Sequence, residues 1–248
     1  MHTVVLVRHG QSLWNSENRF AGWVDVGLSP LGRQEAVVAG TLLKDHGFTF
    51  NLAYTSFLRR ANQSLEILLD AMDLLWIPEN KAWWLNERHY GALQGANRVE
   101  TRLKYGDEQF SLWRRSYSER PPLLRDDSPL RPSLDRRYVG VAPATLPLGE
   151  SLQDCSVRVL TYWSVEIVPQ ILSGAKILIC AHGSTMRALL KHLKRISDKD
   201  IAEVNIPTAV PLVLRFDNAL TLVEHSYLGD PEAIQRQIDL VASQGSQP

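Results

Sequence analysis

The chain has 248 residues, 44% of them hydrophobic and 22% charged, which is enough apolar material for a full α/β core. Lys plus Arg and Asp plus Glu are equal at 27 each, a balance that speaks against a nucleic-acid binder but leaves room for a locally basic pocket. No apolar run approaches the roughly 18 residues of a membrane helix, Val4–Val7 is too short for a secretory leader and is stopped by Arg8, and the two unpaired cysteines, Cys155 and Cys180, suit a reducing, cytoplasmic setting.

Val4–Val7 reads as a buried parallel strand that ends abruptly in Arg8-His9-Gly10. In open α/β folds reactive groups sit at such carboxyl ends. A histidine there, beside a fixed positive charge, can attack a phosphoryl group while Arg8 grips the phosphate oxygens at two points. Residues 12–26 read as a loop in which Trp14, Phe20 and Trp23 pack down. Gly22 in that loop offers a backbone N–H without side-chain bulk.

Ser29-Pro30 starts a helix that glycine closes near His46-Gly47. Leu52–Thr55 is a short second strand, and an amphipathic helix follows from Phe57 to about Leu75. Arg59 and Arg60 near its start oppose the helix dipole; they are either two solvated side chains or part of a phosphate clamp. Residues 76–84 read as a strand with its flanking turn.

The Glu87-Arg88-His89-Tyr90 cluster before Gly91 is dense in titratable groups. Glu87 in a crevice walled by Tyr90 suits proton transfer, whereas paired with Arg88 at the surface it does nothing chemical. His89 either orients this loop or touches a ligand. Residues 98–117 read as helical, and the adjacent Arg114 and Arg115 point to different sides of a helix. Residues 121–147 hold six prolines and read as an extended, irregular insertion, a lid or an interface arm.

Ser151 and Asp154 form a capping-box start for a helix that runs to Ser173-Gly174. Lys176–Ala181 is a buried strand that ends in His182-Gly183, and the next helix begins there, so its N–H groups face the same crevice as His9. A short helix to Val204, a hairpin over 212–225 and a last amphipathic helix over 231–241 complete the chain, with a mobile tail at 243–248. The elements predict one domain over 1–248: α/β, a mostly parallel central sheet with helices on both faces. No metal-ligand spacing is present in the sequence.

Arg8-His9-Gly10 is the signature of the histidine phosphatase superfamily, and longer stretches resemble its cofactor-dependent phosphoglycerate mutases. These are RHGQSLWN from Arg8, NRFAGWV from Asn18, LNERHYGALQG from Leu85, KYGDEQ from Lys104, WRRSY from Trp113, GESL from Gly149, AHG from Ala181 and YLGD from Tyr227. They run in order and span nearly the whole chain.

The resemblance implies a phosphohistidine on His9, with Arg8, Arg60 (not Arg59) and His182 bracing the phosphoryl group and Glu87 moving the proton. It implies substrate contacts from Ser12, Asn15, Ala21, Gly22, Arg88, His89, Tyr90, Arg98, Arg114, Arg115, Gly183 and Ser184. It also implies a 2,3-bisphosphoglycerate primer without a metal, interconversion of 3- and 2-phosphoglycerate in glycolysis and gluconeogenesis, and a homodimer or dimer-based tetramer. No nucleic acid or membrane partner follows from it, and its C-terminal tail can fold over the site. Four positions depart from the commoner pattern: Gln11 for Glu, Ala21 for a hydroxyl residue, Arg98 for Lys and Ser184 for Asn. The Gln11 change removes a charge beside the nucleophile. The alternatives on the same residues are bisphosphoglycerate synthase or phosphatase activity, or a catalytically weakened scaffold homologue.

Overall fold

The computed structural model describes residues 1–245; positions 246–248 of the expected tail lie outside the described residues. The central strand β1, His2–Arg8, is flanked on both sides, because Val4–Val7 are each at most 1% exposed and need cover on both faces. In chain order the remaining elements begin with α1 (Leu13–Ser16), α2 (Pro30–Asp45), β2 (Leu52–Thr55), α3 (Arg59–Ala71) and β3 (Glu79–Lys81). Then come α4 (Arg98–Tyr105), α5 (Asp107–Arg115), α6 (Leu152–Tyr162), α7 (Val168–Leu172) and β4 (Ile177–Ala181). Helix α8 (Gly183–Leu193), strands β5 (Leu212–Phe216) and β6 (Leu222–Tyr227) and helix α9 (Pro231–Ser243) complete the series.

Among the described residues six strands form one sheet in the order β3-β2-β4-β1-β5-β6. Pairs β1/β4, β2/β4 and β2/β3 are parallel, and β5 runs antiparallel to both β1 and β6, so the sheet is mixed but mostly parallel. Successive β1 side chains alternate faces. Val4 and Leu6 pack with α6 and α8, through residues such as Val159 and Leu189. Val5 and Val7 pack with α2 and α3, through Leu43 and Leu65. Each such fully buried Val or Leu contributes about 1.5–3 kcal/mol, so two layers of helix are the stable answer to a strand with no polar face.

The register matters more than the layers. Arg8 pairs with Ala181, and the His9 N–H donates to the Ala181 carbonyl at 2.9 Å. The residue following each strand is therefore a histidine, and the two rings meet edge-on with centroids 5.0 Å apart.

Local differences from the sequence reading have local causes. The 12–26 loop opens with a single helical turn, α1, because Ser12 and Asn15 complete a capping box. The 98–117 helix is broken at Gly106 into α4 and α5. The expected strand at 76–84 shrinks to Glu79–Lys81, followed by a tight turn at Trp83–Leu85. A five-residue π-helical segment, Trp163–Ile167, sits between α6 and α7 ahead of Pro169. The 121–147 insertion is folded into short turns, with Tyr138 and Leu146 buried against Trp23 and Trp83.

The loop that carries His9 lies directly on the first turn of α2. A Cβ on Gly10 would sit 2.1 Å from the Gly32 carbonyl, and one on Gly32 would sit 2.0 Å from the Gln11 carbonyl. Two glycines face each other because backbone meets backbone there. Gly32→Ala is expected to lower unfolding stability by about 1–3 kcal/mol, as overpacking does, and to reduce turnover by displacing His9; urea unfolding and steady-state kinetics on the same preparation check both.

Candidate active site

His9 is 2% exposed, and its Nδ1 lies 2.6 Å from the Gly10 carbonyl. A carbonyl only accepts, so Nδ1 carries the proton and Nε2 keeps its lone pair. Arg60 Nε donates to that Nε2 at 3.2 Å. Arg60 is itself fixed, because its Nη1 and Nη2 donate to the carbonyls of Val24 and Gly22 at 3.1 and 2.8 Å. Burial first, and then the charges of Arg60 and Arg8, hold the His9 imidazole well below its usual pKa, so the ring is a neutral nucleophile.

His182 is fully buried behind His9, and its Nε2 lies 2.8 Å from Ser56 Oγ. Ser56 Oγ already accepts from the Leu58 N–H at 3.1 Å. Among the described residues His182 Nε2 is the one acceptor within reach of the Ser56 hydroxyl hydrogen, which places the His182 proton on Nδ1, a buried donor with no protein partner. Burial and the nearby Arg60 push this ring well below its usual pKa as well.

Among the described residues Glu87 is the one carboxylate on the pocket wall. Its Oε1 accepts from the Arg88 N–H at 2.8 Å and from the Ser184 N–H, at the start of α8, at 3.1 Å. The segment that carries it is anchored from beneath by a buried bidentate pair. Arg158 Nε and Nη2 donate to Glu150 at 2.9 Å each, and Arg158 Nη1 and Nη2 reach the carbonyls of Trp84 and Glu87 at 2.6 and 3.3 Å. Glu150 in turn accepts from the His89 N–H at 2.8 Å.

Six arginines line the pocket against that one carboxylate: Arg8, Arg60, Arg98, Arg114, Arg115 and Arg187. Burial and the like charges of Arg115 and Arg98 bring the Arg114 guanidinium down to about 8; burial, ahead of any neighbouring charge, brings Arg60, Arg98 and Arg187 down to about 10. Crowding of this kind is relieved by an anion. Arg8 Nε and Arg98 Nε are buried without protein partners and are donors for such an anion; Arg187 Nε is likewise buried without a protein partner. Among the described residues no group of three or more His, Cys, Asp or Glu could hold a metal ion.

Of the sequence-derived contacts, Asn15, Ala21, Gly22, Tyr90, Gly183 and Ser184 also line this pocket. Asn15 Oδ1 is taken by Ser12 at 2.8 Å, so its amide N–H₂ is the part free for a ligand. Gly22 has φ +55°, and a Cβ there would meet Gln94 Oε1 at 2.3 Å, so a side chain at this position would displace Gln94.

Ser12, Arg88, His89 and the fully buried His182 are not on the wall. Ser12 caps α1. Arg88 lies beneath, stacked 4.5 Å from the Tyr90 ring, with Nη2 donating to the carbonyls of Trp113 and Arg114 at 2.9 and 3.1 Å. His89 Nδ1 accepts from the Gly91 N–H at 3.0 Å and shapes the loop.

Gln11 also turns away: its Oε1 accepts from Ser29 Oγ at 2.8 Å, at the start of α2. Its side chain is therefore not the one beside the nucleophile, contrary to the sequence expectation. Sequence reasoning missed Arg187, Asn205 and Gln244 on the wall. Arg187 follows Ser184 by three positions on a helix, a spacing that was available as a signal; Asn205 and Gln244 had none.

Burial, and then Arg158, hold His89 at a pKa of about 3 against an ordinary 6.5. The unfolded chain then binds a proton that the folded chain refuses, so this contribution to stability is complete above about pH 6.5 and is lost as pH falls. In His89→Asn the loss of stability on going from about pH 6 to about pH 4.5 is expected to be shallower than in wild type by about 1.4 kcal/mol per pH unit; denaturant unfolding at stepped pH measures it.

The chain matches the histidine phosphatase superfamily (branch 1) over residues 4–226. It is 51% identical over 245 residues to 2,3-bisphosphoglycerate-dependent phosphoglycerate mutases of Parabacteroides distasonis and Porphyromonas gingivalis, covering 99% of this chain and 99% of each relative. Among solved structures, Bacillus stearothermophilus YhfR superposes with a TM-score of 0.69 at 24% identity, over 92% of this chain and 96% of that one. A mycobacterial glucosyl-3-phosphoglycerate phosphatase superposes with a TM-score of 0.66 at 22% identity, over 92% and 97%; both share the fold. The chain belongs to branch 1 of the histidine phosphatase superfamily and, within it, to the 2,3-bisphosphoglycerate-dependent phosphoglycerate mutase family.

Proposed function

We propose that residues 1–248 form one catalytic unit that interconverts 3-phosphoglycerate and 2-phosphoglycerate, primed by 2,3-bisphosphoglycerate. The observation that carries this reading is the neutral His9, with its Nε2 lone pair at the edge of a pocket of six arginines and one carboxylate. A bisphosphorylated carboxylate suits that charge pattern, because one singly charged anion would leave several guanidiniums uncompensated. The partnerless buried donors on Arg8 and Arg98 fit such a polyanion. The primer supplies the phosphoryl group.

His9 Nε2 forms the bond to phosphorus as the bond from phosphorus to the donor's oxygen breaks, and Glu87 gives that oxygen its proton. Nδ1–H stays on the Gly10 carbonyl throughout and disperses the charge that the ring acquires. Arg8, Arg60 and the Nδ1–H of His182 balance the equatorial oxygens of the transferring group. In the reverse transfer Glu87 takes the proton from the accepting hydroxyl as phospho-His9 loses its phosphoryl group. Arg98, Arg114 and Arg115 hold the end of the substrate that does not react, so turning the substrate over exchanges which oxygen meets His9. The carbonyls at the end of α9, which accept from Arg114, and Gln244, which accepts from Arg98 at 3.0 Å, support the tail as the cover over this end.

The exposed edge strand β3 and Trp76, 75% exposed beside it, offer a face to a second copy, which supports the homodimer or dimer-based tetramer. No helix among the described residues is long and apolar enough to cross a membrane, in keeping with a cytoplasmic enzyme. Arg98 in place of the commoner lysine favours, as a second reading, a larger share of bisphosphoglycerate synthase or phosphatase activity on the same residues.

Conversion of 3- to 2-phosphoglycerate should depend on trace 2,3-bisphosphoglycerate. It should fall by roughly 10⁴-fold or more in His9→Ala and by about 10²–10⁴-fold in Glu87→Gln. Release of inorganic phosphate from the bisphosphate without isomerisation would replace the mutase reading by the phosphatase one.

A further inference from the structure

Arg115 ends α5, where the helix has no further backbone N–H to offer its last carbonyls. Its carbonyl accepts instead from Arg187 Nη2 at 3.0 Å, and the same nitrogen donates to the Ile201 carbonyl at 2.7 Å. Arg187 thus ties the end of α5 to the 200–206 segment from its seat on α8. It is 6% exposed, and its Nε has no protein partner.

The Arg115 side chain has one short hydrogen bond, from Nη1 to Asn205 Oδ1 at 2.5 Å. Its contacts with the Val241 and Ala242 carbonyls are both 3.5 Å. Asn205 cannot flip its amide, because a guanidinium only donates and its Nδ2 is engaged with the Glu203 carbonyl at 3.1 Å. The backbone of Arg115 is therefore held from α8 and its head from the loop before β5. The neighbouring Ile206 carbonyl accepts from Arg8 Nη1 at 2.6 Å, so the same loop touches both ends of the pocket.

We propose that Arg187 and Asn205 are positioning residues that aim Arg115, and that they set how tightly the site holds the non-reacting, carboxylate-bearing end of its substrate. The inference rests on the phosphoglycerate reading for the identity of that end. It assigns these two residues no part in the transfer at His9.

The test compares two probes on the full-length chain by calorimetry. 3-Phosphoglycerate reports both ends of the pocket. Orthovanadate, which becomes five-coordinate on a nucleophile's lone pair, reports the His9 end and should be lost in His9→Ala. Asn205→Asp is nearly isosteric and would close Arg115 into an ion pair. In Asn205→Asp and Arg187→Gln, 3-phosphoglycerate binding should weaken by at least about tenfold while vanadate binding stays within about twofold. Arg187→Lys keeps the charge, but its ammonium stops one bond short of the Nη2 position that bridges the two carbonyls, and it should stay closer to Arg187→Gln than to wild type. Wild-type affinity in Asn205→Asp, an equal loss of both probes, or full rescue by Arg187→Lys would overturn the inference. Should Arg187→Gln fail to fold, Asn205→Asp decides alone. Binding of 3-phosphoglycerate that follows this pattern without isomerisation would sink the mutase reading alone, and no binding by wild type would sink both.

Discussion

Six guanidiniums around one carboxylate repel each other, and the protein holds them together with backbone carbonyls. Arg8 donates to Ile206, Arg60 to Gly22 and Val24, Arg114 to Val241, and Arg187 to Arg115 and Ile201. Arg88, just below, donates to Trp113 and Arg114. Carbonyl oxygens partly neutralise a guanidinium without supplying a full negative charge. The cage is thus stable enough to fold and still electropositive enough to take a polyanion. The same bonds satisfy carbonyls at loop bends and at the C-terminal end of α5, so the site and the loops that form it are one hydrogen-bonded object.

The carboxylate needs the opposite treatment. Glu87 would be drawn into an ion pair with any of the neighbouring arginines if its segment were free. It is held by the Glu150–Arg158 pair, whose guanidinium collects carbonyls from Trp84 to Glu87 and lies over Trp23 and Trp83. Both partners are about 5% exposed. A buried pair of this kind adds little net stability against an apolar replacement, but it fixes a geometry, because losing either partner leaves a buried charge. Glu87 keeps Oε1 on two backbone N–H groups as a result.

Tautomers complete the arrangement. Gly10 and Ser56, neither of which touches the pocket, decide which nitrogen of each histidine carries its proton. The lone pair on His9 Nε2 and the N–H on His182 Nδ1 follow from those two contacts. Burial and the arginines keep both rings neutral, so the pocket's positive charge is carried by its guanidiniums and not by the histidines.

Much of this was legible in the sequence. Unbroken apolar runs ending in His9-Gly10 and His182-Gly183 imply two buried parallel strands, and the ordered motifs carry the family and single out His9, Glu87 and His182. Helix starts at Ser29 and Ser151 were readable because capping is local chemistry. Tertiary structure alone decided which polar residues face the pocket. Gln11, Ser12, Arg88 and His89 sit in the most recognisable stretches yet point into the supporting layer, while Asn205 and Gln244 reach the wall from distant elements. The spacing of residues along a chain sets which face of a helix or strand a side chain takes. Where that face points depends on strand register and on which backbone carbonyls stand nearby, and those are fixed only when the whole sheet has closed.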